Sequence, residues 1–205
     1  MAPSGVSHPL APGEAHAADA SRQDEAVRFQ QTRVIEVLLK RGARPASAES
    51  LQDAVLRGRV DVVRLLLDRG ADVNQATANG STLLHDASLK GHTRVVELLL
   101  DRGADPKRLN AEGATPLHDA ALSGHAEAVA LLLAKGAPID AREKGSGATA
   151  LHHAASWGRA EVVALLMERG ADRKVKNNAG VSPLAAAKAN GHDAVVKLLD
   201  ERGAR

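Results

Sequence analysis

The chain has 205 residues, 44% of them apolar and 25% charged, with 27 basic against 25 acidic side chains and a net charge of +2. That small excess gives no concentrated basic stripe of the kind strong nucleic-acid binders carry. There is no cysteine, which excludes disulfides, thiolate catalysis and cysteine-ligated zinc; with one Phe, one Trp and no Tyr, Ala and Leu must build the core, which favours tightly packed helices over a sheet.

Residues 1–20 are rich in Ala, Pro, Gly, Ser and His without periodicity and read as a disordered tail. They lack a basic start followed by an apolar stretch, so they are not a secretory signal as written, and a cytoplasmic location is the expectation. No apolar run reaches the ~18 residues a membrane span needs. Residues 32–41 place Val34, Ile35, Val37, Leu38 and Leu39 on a wide apolar face before Gly42, a helix ended by a glycine.

From there the chain repeats itself. A Gly-Ala pair recurs at Gly70, Gly103, Gly136, Gly170 and Gly203, in steps of 33, 33, 34 and 33. A second glycine series (Gly58, Gly91, Gly124, Gly158, Gly191) keeps the same steps, and a third (Gly80, Gly113, Gly147, Gly180) opens each copy. Within the cleanest copy, 114–136, Leu117, Ala120, Ala121 and Gly124 fall at i, i+3, i+4 and i+7, one buried helical stripe. Val129, Leu131, Leu132 and Leu133 give a second helix its apolar face, and Gly124 and Gly136 permit the turns. Thr115-Pro116 suits a helix start, because the missing N–H of proline costs nothing at the first position.

A period of 33 with Thr-Pro-Leu-His opening the unit resembles the ankyrin repeat. The resemblance covers about 21–205 and implies an all-α solenoid of stacked helix-turn-helix units joined by hairpin-like loops, or fingers. It divides the chain into a tail (1–20) and one repeat domain (21–205). The domain holds a degenerate partial repeat at about 21–45, then repeats at about 46–79, 80–112, 113–146, 147–179 and 180–205. The one 34-residue unit takes its extra residue within 144–147. The last unit has Ala185 in place of the His and Asp200 in place of a Leu, as a capping repeat meeting water requires.

The resemblance makes His85, His118 and His152 structural hydrogen-bonders rather than catalysts or ligands. Ser88 or Ser123 with Asp119 and a His is the nearest approach to a nucleophilic triad, but there is no Gly-x-Ser-x-Gly elbow. His152-His153 and His118/His125 lack zinc-ligand spacing, and no HExxH, P-loop or GxGxxG is present. The expectation is a non-enzyme without cofactor, metal or small-molecule substrate. It is a monomer that binds another protein.

Positions that the periodicity leaves free then define the candidate surface. On each first helix the residue after the His and those three and four further on share the face opposite the buried stripe. These are Asp53, Leu56 and Arg57; Asp86, Leu89 and Lys90; Asp119, Leu122 and Ser123; His153, Ser156 and Trp157; and Asn190 with Ala186 and Ala189. In ankyrin proteins this face lines a concave groove where partners dock. Asp53, Asp86 and Asp119 form a ladder with two readings: i,i+4 ion pairs Asp53–Arg57 and Asp86–Lys90 worth a few tenths of a kcal/mol each, or an acidic strip for a basic segment. Trp157, the single tryptophan, is either an interface anchor or a residue packed across the preceding finger. The fingers carry Lys107, Arg108, Arg142, Lys144, Arg173, Lys174 and Lys176. They suit a partner of mixed charge, and without interleaved aromatics they offer no stacking platform for single-stranded nucleic acid. The alternatives are an electrostatic binder of nucleic acid or acidic membrane, and a regulatory or inhibitory subunit of an enzyme.

Overall fold

The computed structural model describes residues 48–201, together with Val37. The predicted tail, the partial repeat at 21–45 and Gly203 lie outside the described residues. Of the predicted helix over 32–41 only Val37 is described, and it is helical and exposed.

Ten helices make up the described residues, in five pairs. The first members are α1 (Ala48–Leu56), α3 (Leu83–Lys90), α5 (Pro116–Ser123), α7 (Ala150–Ser156) and α9 (Pro183–Ala189). The second members are α2 (Val60–Asp68), α4 (Thr93–Asp101), α6 (Ala126–Ala134), α8 (Ala160–Glu168) and α10 (Asp193–Glu201). First helices pack against first helices and second against second, so the molecule is an all-α repeat solenoid. No helix among these is long and apolar enough to cross a membrane.

The stack forms because each helix is too short to be stable alone and has one apolar face to bury. Leu117, Ala120 and Ala121 are fully buried, as are their counterparts Leu151, Ala154 and Ala155. Alanine keeps these helices close, which is how the core closes without aromatics. In the second helices Val129 and Leu132 are fully buried, while Leu131 and Leu133 are only half-buried. Gly124 ends α5 in the left-handed region at φ 89°, as the spacing predicts.

Neighbouring units are stitched at three levels. The residue before a second helix reaches back to the preceding first helix: His92 Nε2–H donates to the Leu56 carbonyl at 2.9 Å, Arg159 Nε–H to Leu122 at 3.0 Å and His192 Nε2–H to Ser156 at 3.0 Å. Adjacent fingers are joined by backbone bonds from Ala111 N–H to Asn79 O, Lys144 N–H to Glu112 O and Asn178 N–H to Ser146 O. At the ends of the second helices Arg102 pairs with Asp68 at 2.7 Å and Lys135 with Asp101 at 2.9 Å. These exposed pairs contribute about 1 kcal/mol or less each.

Each finger closes on itself by a backbone bond spanning four residues: Thr77 to Ser81, Asn110 to Ala114 and Asn177 to Val181. In the longer unit the bond runs from Glu143 N–H to Ala148 O, five residues on, so the extra residue lies between them. The fingers are turns rather than ladders, with one isolated bridge, Ala76 to Thr82, among the described residues.

Candidate functional site

Between the first two described repeats the first helices and the finger bound a cleft of about 80 Å³, lined by Glu49, Gln52 and Asp86 on the helices and by Gln75, Thr77 and Ser81 on the finger.

His85, His118 and His152 are buried at the third helical position of α3, α5 and α7. Each Nδ1 accepts the N–H of the N-cap threonine at 3.1 Å, taking the role a glutamate plays in the usual capping box. That bond leaves the proton on Nε2, which donates into the next unit: His85 to Ala114 O at 3.1 Å, His118 to Ala141 O at 3.0 Å and Ala148 O at 3.3 Å, His152 to Val181 O at 3.1 Å. Both nitrogens are spent, so none of the three is available as a base or a ligand. Burial pushes all three below the usual imidazole value, His118 to about 4, where the neighbouring His153 adds to the effect.

Of the residues that follow the histidine positions, Asp86 lines this cleft. Asp53 forms the predicted pair with Arg57, whose Nε–H donates to Oδ1 at 2.8 Å, while its Oδ2 is buried without a partner. The second predicted pair does not form. Asp86 accepts from the Gln52 amide of the preceding unit at 2.9 Å instead, and Lys90 stands exposed. Gln52 occupies the histidine position of its unit, so it reaches forward where a histidine would.

Asp119 receives no hydrogen bond and no ion pair among the described residues. Burial drives its carboxyl up to about 7, and Asp86, Glu143 and Glu112 push in the same direction. Asp119 is thus half-protonated near neutrality and feels three other acids. His153 replaces the aspartate in the next unit and changes the pattern. Its Nε2 lies 2.9 Å from Glu143 Oε1, and its ring meets that of His118 edge-on at 5.8 Å. Burial alone would raise Glu143, but the Ser146 hydroxyl, donating at 2.5 Å, and His153 outweigh it and hold the carboxyl below its usual value.

The outer rim is apolar. Leu56 is 37% exposed, Leu89 38% and Trp157 58%, which makes Trp157 the most exposed large apolar side chain described. Leu122, Ser123 and Ser156 are half-buried. Asn190 is exposed but directs its Nδ2–H to Ser156 O at 3.0 Å.

The fingers divide into free and engaged cations. Lys107, Arg108, Lys144, Lys174 and Lys176 are exposed, with no side-chain hydrogen bond or ion pair among the described residues. Arg142 is occupied: its guanidinium donates to Lys176 O at 2.9 Å and Asn178 Oδ1 at 3.3 Å in the next finger. Arg173 donates to Leu199 O at 3.3 Å. Both arginines, expected at a partner contact, also brace the stack, because a long guanidinium on a finger reaches the neighbouring unit's carbonyls.

The sequence pattern does not single out Gln52, Glu112 or Glu143, although each shapes the electrostatics of Asp86 or Asp119. Glu143 pairs with a helix ten residues on, across the one irregular finger, where the period gives no guide. No group of three or more His, Asp or Glu side chains able to hold a metal ion occurs among the described residues.

A family model for ankyrin repeats (3 copies) matches residues 51–143 and 137–205. No curated protein matches the sequence. The period, the helix pairs, the histidine-capped turns and this match agree, and the chain belongs to the ankyrin repeat family.

Proposed function

We propose that this protein is a non-catalytic recognition module that binds another protein across its first helices and fingers. Ankyrin repeats generally serve as protein–protein interaction modules and are typically non-catalytic. What carries the reading for this chain is the composition of one face. Leu89 on α3, Asp119 on α5 and Trp157 at the end of α7 come from three consecutive repeats, and their side chains have no hydrogen bond or ion pair among the described residues. Exposed apolar side chains and an unsatisfied carboxyl on consecutive repeats are costly to keep in a monomer and useful at an interface.

A standard interface buries roughly 800 Å² on each side, which several adjacent repeats supply and one does not. The partner's contact segment is expected to present apolar groups to Leu89 and Trp157 and a cation to Asp119. The exposed lysines of the fingers would set the approach and its salt dependence more than the final affinity.

Affinity capture from a native lysate tests this, using the wild type and a Trp157→Ala/Asp119→Asn double variant in parallel. The expected result is a protein retained by the wild type and lost from a double variant whose helical content is unchanged. Equal retention by both removes the groove reading.

A further inference from the structure

We propose that the cleft at the C-terminal end of the described stack is a binding site for a small amphiphilic anion, a ligand with one carboxylate or phosphate group on a short apolar body. The cleft has a volume of about 560 Å³, within the roughly 300–1,000 Å³ of small-molecule sites. It lies at the end of the stack, between the last described finger, the start of α9 and α10.

Its cationic wall comes from one finger, where Arg173, Lys174 and Lys176 stand within four positions of one another. This finger departs from the others at the decisive place. Where Arg173 stands, the earlier fingers have Val73, Pro106 and Ile139, and both Val73 and Ile139 pack against the core. A guanidinium there replaces an apolar plug. Arg173 is oriented by one bond, from Nη1–H to Leu199 O at 3.3 Å, and meets no carboxylate among the described ion pairs. Its remaining N–H groups are free for an oxyanion, which a guanidinium grips in a fork.

The apolar wall is Leu184 and Leu199. Leu184 is the counterpart of Leu84, Leu117 and Leu151, which are at most 1% exposed under the following unit, whereas Leu184 is only half-buried. The single acid in the lining, Asp200, has Lys188 Nζ 4.0 Å away. The lining therefore keeps a positive surplus beside two leucines. An open cleft of this kind suits a molecule with one anionic head and a short tail. A polyanion needs an extended stripe of cations.

The test uses the full-length chain, isotope-labelled, with octanoate, octyl phosphate, octanol and inorganic phosphate as probes, followed by amide chemical shifts. Octanoate or octyl phosphate should shift residues 173–176, 182–184 and 199–200, and the stronger of the two identifies the head group. Octanol and inorganic phosphate should each bind at least about tenfold more weakly, which corresponds to about 1.4 kcal/mol. Arg173→Val, which restores the residue type of the other fingers, should remove the preference for octanoate over octanol; Lys174→Ala/Lys176→Ala, at exposed positions, should weaken it without affecting the fold. Several results overturn the proposal: no binding of any probe, octanol equal to octanoate, inorganic phosphate equal to octyl phosphate, or shifts outside the cleft. Tight binding of acidic vesicles or duplex DNA with none of octanoate does so too, by assigning the cations to a macromolecular surface.

Discussion

Replacing Asp119 by asparagine should stabilise the protein above neutrality and do little in acid. The carboxyl has an ordinary value of 3.8 and is raised to about 7 in the folded chain, by burial first and then by Asp86, Glu143 and Glu112. Below pH 3.8 it is protonated in both folded and unfolded chains and costs nothing. Between 3.8 and about 7 the unfolded chain releases a proton that the folded chain keeps, so stability falls as pH rises; above about 7 the full penalty is in place. The shift is roughly three units at about 1.36 kcal/mol each, a ceiling of about 4 kcal/mol. Partial solvent contact of the side chain reduces the expectation to about 1–3 kcal/mol. Urea unfolding of wild type and variant at about pH 4.5, 6 and 8 should show the variant's advantage growing to about pH 7 and then levelling. An advantage that is flat across this range, or largest in acid, would refute the burial argument.

Three other outcomes follow from the geometry. His118, held to about 4 against an ordinary 6.5, contributes stability that is present above 6.5 and lost as pH falls through about 4; imidazole NMR should show an Nε2–H tautomer persisting to about pH 5, and a titration midpoint near 6.5 would contradict it. Gly91→Ala and Gly103→Ala both force a left-handed alanine, at φ 69° and 87°, costing about 1–2 kcal/mol. Only at Gly91 would the new Cβ overlap the His125 imidazole, so thermal unfolding should show Gly91→Ala the worse by about 1 kcal/mol or more; equal losses would place His125 elsewhere. Trp157→Ala should leave the melting temperature within a few degrees while weakening the captured partner about tenfold, as read by titration calorimetry.

The repeat fold was legible because its determinants are local and recur. The glycine series, the Ala-rich stripe and the buried histidines each do one job in every unit, so a period shows them. Asp200 was legible for the same reason: it breaks the pattern at a position held by leucine or methionine in the other units, and it is exposed. The site was only partly legible. The i,i+4 rule supplied the Asp53–Arg57 pair but failed at Asp86, because Gln52 reaches it from the preceding unit, a contact set by stacking rather than by spacing along one helix. The same limit hid the bracing role of Arg142 and the Glu143–His153 pair, both between elements whose separation in sequence carries no signal. Asp119 has Ser123 rather than a cation four residues on, but its elevated pKa comes from burial first and then from Asp86 in the preceding unit and Glu143 and Glu112 in two different fingers, none of which the spacing shows.

Hydrogen–deuterium exchange on the complex with the captured partner tests the central claim most directly. The account predicts added protection over 86–90, 119–123 and 153–157 and over the fingertips at 107–108 and 144, with the second helices α2, α4, α6 and α8 unchanged. Protection confined to the outer faces of those second helices, with the first helices unchanged, would contradict it.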